Sequence, residues 1–141
     1  MKRKFLKKLI ELRRKYNIDK QYISFEKEMV LRAVFIGLFI AFIPMPMQMF
    51  AVFLVSPFIK FNVLLAFAMC WITNPFTMPF IYFIEYQTGV YILGIEATKT
   101  FSIDNLSKVI IPLYYGAFVF SITISTLGYF LTNLIYSRKK Q

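Results

Sequence analysis

The chain is built from apolar runs longer than a water-soluble core needs, separated by short charged stretches. No charged side chain occurs over residues 33–59, 61–84 or 109–137. The opening segment has a different rhythm. Phe5, Leu9, Leu12 and Tyr16 recur at helical spacing while lysines and arginines fill the other face, which predicts a basic amphipathic helix within residues 1–28, broken near Asn17. Such an arm either lies on an anionic cytoplasmic surface or is solvated and only sets orientation.

The apolar runs differ in how they are broken. Residues 33–59 would rise about 40 Å as one helix, more than the roughly 30 Å hydrocarbon layer requires. Pro44 and Pro46 stand near the middle of this run, where proline removes a backbone donor and disrupts helical geometry. Two half-helices of about a dozen residues reach only part-way across a bilayer. Both flanks are basic, with Arg32 on one side and Lys60 on the other, so a re-entrant hairpin entering from the cytoplasm is expected. Residues 63–95 are interrupted at Asn74-Pro75 and at Pro79 and read as a discontinuous transmembrane segment. A polar connection, 96–108, follows, in which Ser102 or Asp104 could cap a short interfacial helix. Residues 109–137 form the plainest transmembrane helix, with Pro112 near its start, and 138–141 close the chain as a basic tail. A hairpin plus two crossings keeps both termini cytoplasmic. Three full crossings would put Arg138, Lys139 and Lys140 outside, against the positive-inside tendency. The fold class expected is an all-α integral membrane protein, with the arm 1–28 followed by a membrane domain, 29–141.

Composition strengthens the lipid reading. Hydrophobic residues make up 58% of the 141 residues, with 17 Phe, against roughly 45–50% in soluble domains. The net charge of +10 is placed unevenly, with nine Lys or Arg among the first 20 residues. A basic chain can bind nucleic acid, but here the charges are terminal and flank apolar runs, so no nucleic-acid partner is expected. There is no histidine, and Cys70 is the single cysteine. His-based metal sites and His-dependent triads are therefore absent, and no carboxylate cluster stands in for them. Neither an enzyme nor a cofactor is expected, and Cys70 reads as a buried packing residue. A cleaved signal also fits poorly, because the apolar run begins only after Arg32 behind a long charged region.

The two proline-broken segments can be laid over each other. Pro44-Met45-Pro46-Met47-Gln48 interrupts one, and Trp71 to Pro79 interrupts the other. Paired broken segments point to substrate sites in transporter-like folds, because backbone groups freed in lipid must face protein or a wet cavity. Gln48, Thr73, Asn74 and Thr77 are the polar side chains near the breaks. They are candidate headgroup ligands, or they only satisfy carbonyls freed by the prolines. Glu85 lies alone in an apolar run. It is either a functional carboxyl paired with Lys60 or Arg32, or an interfacial residue wetted between Tyr82 and Tyr86. Asn62 reads as a turn or cap residue. Gly37, Gly89, Gly94, Gly116 and Gly128 read as sites of close helix approach.

Together, Gly37-Leu38-Phe39, Pro44-x-Pro46-x-Gln48-Met49, Lys60-x-Asn62, Trp71-x-Thr73-Asn74-Pro75-x-Thr77-Met78-Pro79 and Tyr86-x-x-Gly89 resemble the small bacterial membrane proteins of the domain-of-unknown-function family 2062. The resemblance covers about residues 30 to 130, and the Thr-Asn-Pro-x-Thr run is its most specific part. It implies a bacterial inner-membrane location and no particular activity. Two positions depart from the family pattern: Met47 stands where glycine is common, and Gln87 where a basic residue is frequent.

The leading expectation is a small, oligomeric transporter or channel-like protein for an anionic amphiphile such as a lipid-linked phosphate. Gln48, Thr73, Asn74 and Thr77 would contact the headgroup, Arg32 and Lys60 would attract it, and Glu85 would couple protons or an ion. The alternative is a non-transporting accessory subunit of a larger membrane complex, bound to a protein partner through residues 1–28.

Overall fold

The structure, a computed structural model, describes residues 7, 10, 11, 22–98 and 105–138. The arm expected over residues 1–28 falls largely outside the described residues, as do the cap at Ser102 or Asp104 and the basic residues Lys139 and Lys140. Among the described residues the fold is all-helical: α1 Lys27–Ala41, α2 Gln48–Val55, α3 Val63–Cys70, α4 Met78–Leu93 and α5 Leu106–Arg138.

Each boundary has a local cause. The α1 helix stops at Ala41, three residues before Pro44, since a residue preceding proline is pushed out of the helical region. The α2 helix starts after Met47 and gives way at Ser56, just before Pro57. The α3 helix is capped by Asn62, whose side chain accepts from the backbone N–H of Leu65 at 2.9 Å. The α4 helix carries Pro79 in its first turn, where the missing donor costs nothing. It ends at Gly94, whose left-handed φ of 62° terminates a helix with little strain. Gly94 therefore ends a helix instead of permitting a close approach.

Two expected boundaries shift. Lys27 and Glu28, assigned to the arm, open α1. The last helix begins at Leu106, so Pro112, near its start, lies inside it and is buried.

The chain doubles back at the first break. The backbone N–H of Asn62 donates to the carbonyl of Met29 at 3.2 Å, which returns the chain to the level at which α1 began. The α3 helix then climbs beside α1, closely enough that a Cβ on Gly37 would press on the Ala66 backbone. Ala33, Ile40, Val52, Phe61, Val63, Ala66 and Cys70 form the core of this α1–α3 unit.

The long helix α5 binds the rest together. It runs antiparallel to α1. Gly128 faces Val34 and Leu38, and the ring of Phe120 meets that of Phe42 edge-on at 5.3 Å. Further along, Tyr114 donates its hydroxyl proton to the Pro44 carbonyl. Beyond that level α4 packs chiefly on α5, also antiparallel. At this crossing a Cβ on Gly116 would overlap the Glu85 carbonyl, and one on Gly89 would overlap the Pro112 carbonyl. Of the three half-length helices, α1 packs on the C-terminal half of α5 while α2 and α3 pack on α1 and on each other, and α4 accompanies the N-terminal half of α5.

Large apolar side chains cover the outside, including Phe58, Phe76, Phe80, Phe118, Phe130 and Leu134. Among the described residues one helix, α5, is long and apolar enough to cross a membrane.

Candidate functional site

The two breaks meet, and one side chain joins them. Gln48 is buried at the start of α2. Its amide donates to the carbonyl of Ala41 at 3.0 Å and, at 3.4 Å, to that of Ile43. Both are carbonyls that the end of α1 leaves without an intrahelical partner. The amide oxygen of Gln48 accepts from the hydroxyl of Thr73 at 2.9 Å, across to the second break. That hydroxyl is also 3.2 Å from the carbonyl of Cys70, at the end of α3. The helix ends that the prolines opened are thereby tied into one polar knot.

Asn74 and Thr77 close the second break on itself. The Asn74 side-chain oxygen accepts from the N–H groups of Phe76 and Thr77 at 2.9 and 3.1 Å, and its amide donates to Trp71 at 3.3 Å. The Thr77 hydroxyl accepts from the N–H of Asn74 at 3.0 Å and donates to the Ile72 carbonyl at 2.6 Å. These are side-chain turns of the kind Asn and Thr form with their own backbone. Of the two readings open for these residues, the geometry supports backbone repair.

A cavity of about 400 Å³ opens between the breaks. Its walls are thioethers and rings, chiefly Met45, Met47, Met49, Trp71, Pro75 and Met78, with Gln48, Thr73 and Asn74 as the polar part of the lining. Met47 shapes its rim in the left-handed conformation, φ 61° and ψ 43°. It is the only non-glycine residue with positive φ among those described. The cavity is suited to an alkyl or isoprenoid group, which Met and Trp walls accommodate without demanding fixed geometry.

The remaining residues expected in one site are apart. Arg32 and Lys60 are exposed at the far end of the half-helices, where an Arg32 guanidinium nitrogen donates to the Lys60 carbonyl at 3.4 Å. Along α1, Arg32 is about 14 Å below the first break. Glu85 lies beyond the breaks on α4, fully buried, and neither carboxyl oxygen has a hydrogen-bond partner. Pairing of Glu85 with Arg32 or Lys60 is therefore not what the fold provides, because the breaks lie between them. Wetting between Tyr82 and Tyr86 is also excluded by its burial.

Tyr114 is a site residue that sequence reasoning missed. It satisfies the Pro44 carbonyl from α5, and its only signal was a phenol in an apolar run, where a buried hydroxyl needs a partner.

The profile of a bacterial family described as "Uncharacterized protein conserved in bacteria (DUF2062)" matches residues 12–141. The chain belongs to this family. No curated protein and no solved structure matches it. In this DUF2062 chain Met47 holds a left-handed backbone that glycine would enter without a steric penalty. Gln87 is exposed on α4 and outside the cavity lining.

Proposed function

We propose that this DUF2062 protein is a multi-pass protein of the bacterial inner membrane. In this reading it is a small transporter or channel-like protein for an anionic amphiphile such as a lipid-linked phosphate. The observation that carries the reading is the junction of the two helix breaks, bridged by Gln48 and Thr73 beside a cavity lined with methionine and tryptophan. Broken half-helices that meet part-way along a helical bundle are where such folds place their substrates. The α1–α2 turn serves as the re-entrant hairpin, α3 with α4 makes a broken crossing, and α5 makes a continuous one. Both termini then lie in the cytoplasm.

In this reading the cavity takes the apolar part of the amphiphile, and the polar knot keeps the broken backbone from collapsing when it is empty. Arg32 and Lys60 concentrate anionic headgroups at the cytoplasmic end. Glu85 is the intramembrane carboxyl available for coupling to a proton or cation.

The test is translocation of a short-chain polyprenyl phosphate in liposomes containing the purified protein. Wild type should exceed protein-free vesicles. Met49→Trp, which fills the cavity from its exposed rim, and Glu85→Gln should each lower the rate about tenfold or more. Wild-type rates equal to those of empty vesicles would sink the transport reading.

One observation favours the accessory reading: Gln48, Thr73, Asn74 and Thr77 all hydrogen-bond within the chain, as a purely structural repair requires. In that case cross-linking in cells should recover one dominant protein neighbour, lost on deletion of residues 2–20.

A further inference from the structure

A second cavity, of about 470 Å³, lies away from the breaks, between α1 and α5. Phe35 and Ile36 of α1 with Ile59 form one side, Thr126, Tyr129 and Phe130 of α5 the other, and Arg32 stands at its end. Apart from Arg32, the lining is nearly all hydrocarbon and ring. Arg32 is exposed, and the long bond to the Lys60 carbonyl uses one of its five N–H donors. The charge of Lys60 adds to that of Arg32. This is also the end of the molecule where the Tyr136 hydroxyl meets the Phe25 carbonyl and where Arg138 closes α5.

We propose that this groove seats the upper part of one acyl chain of an anionic membrane phospholipid, with the lipid phosphate on Arg32. The proposal rests on the membrane placement above but not on transport. Charge complementarity selects the ligand. A guanidinium presents a planar fork that matches two phosphate oxygens, which an ammonium cannot do. A water-soluble anion would meet only the Thr126 and Tyr129 hydroxyls in the groove beyond Arg32 and would gain nothing from its apolar walls. A zwitterionic lipid could fill the walls, but its own ammonium offsets the attraction of Arg32 and Lys60. The arginine stem packs along the apolar lining while its head reaches the headgroup level, so one side chain binds both halves of the ligand. The site differs from the cavity at the breaks, since Arg32 is about two and a half helical turns below Ala41.

Native mass spectrometry of protein released from nanodiscs of phosphatidylcholine doped with phosphatidylglycerol tests this. After the loosely held lipids are stripped, the wild type should retain one phosphatidylglycerol in preference to phosphatidylcholine. Arg32→Gln should lower that retention about tenfold and abolish the preference, and Arg32→Lys should restore part of it. Thr126→Trp, which fills the groove and leaves the charge alone, should displace both lipids. Lys108→Gln removes one positive charge at the opposite end of α5 and should change nothing. Retention unchanged in Arg32→Gln, or lowered equally by Lys108→Gln, overturns the proposal. Helicity by circular dichroism identifies any variant that fails to fold, and Arg32→Lys with Thr126→Trp keeps the question decidable. If the chain leaves membranes on an alkaline carbonate wash, the membrane reading itself fails. Loss of specific retention from a chain that stays embedded overturns the groove alone.

Discussion

Met47 carries a conformation its side chain resists. A left-handed residue with a Cβ costs about 1–2 kcal/mol relative to one without, and Met47 is largely exposed, so packing returns little of that cost. Met47→Gly should therefore stabilise the protein by about 1 kcal/mol, read as a higher midpoint of thermal unfolding in detergent. The gain is partly offset by the larger unfolded-state entropy of glycine. A lower midpoint would show that the methionine thioether contributes more to the cavity rim than its exposure suggests. Gly116 presents the opposite case. A methyl group there would overlap the carbonyl oxygen of Glu85, and a backbone atom inside a helix cannot swing aside. Gly116→Ala should cost around 3 kcal/mol, the upper end of overpacking penalties, and should loosen α4 from α5 before it affects α1–α3. Hydrogen exchange resolved by segment checks the order.

The breaks were legible at the level of elements because proline acts locally. Pro44, Pro46, Pro75 and Pro79 each restrict their own φ and remove a donor whatever surrounds them, and the helices end or begin within a few residues of each. The cap at Asn62 was equally local. Partners chosen by tertiary packing were not legible. Nothing in the spacing of Gln48 and Thr73, 25 positions apart, indicates that their side chains bond. Nor does the sequence show that Asn74 and Thr77 are consumed by their own turn. Arg32 and Lys60, expected at the basic flanks of the apolar run, stand a full element length from the breaks, at the other end of the half-helices. Glu85 could be read as paired or wetted, and the Gly116 crossing instead sealed it in. The Gln48 bridge gives the element-scale expectation. Gln48→Ala leaves the buried Ala41 carbonyl and the half-buried Ile43 carbonyl without a donor and should cost about 2–3 kcal/mol in thermal unfolding. Thr73→Val, which leaves the Gln48 amide on Ala41 and Ile43, should cost about half as much. Equal costs would mean that the link across the breaks, rather than repair of α1, supplies the stability.

For the whole molecule, the proposed membrane placement has α5 cross the bilayer, so that its two ends lie on opposite sides. On a Cys70→Ala background, Ser137→Cys should react with an impermeant maleimide only from the cytoplasmic side, and Ala97→Cys only from the other. Labelling of both from one side would remove the crossing assigned to α5. The unequal company that α5 keeps along its length has a further consequence. At the level of its C-terminal half the body is four helices wide, counting α1, α2, α3 and α5, and at the level of its N-terminal half it is two, α4 and α5. With each helix about 10 Å across, such a body, in the proposed membrane placement, would occupy about twice the area in one bilayer leaflet that it does in the other. So placed, it would be a wedge, and a flat sheet of lipid would have to stretch on one face to admit it. Where the leaflet holding the broad half lies on the convex side of a bend, that stretching is already present. Membrane shape would then govern where the protein gathers, independently of any molecule it carries.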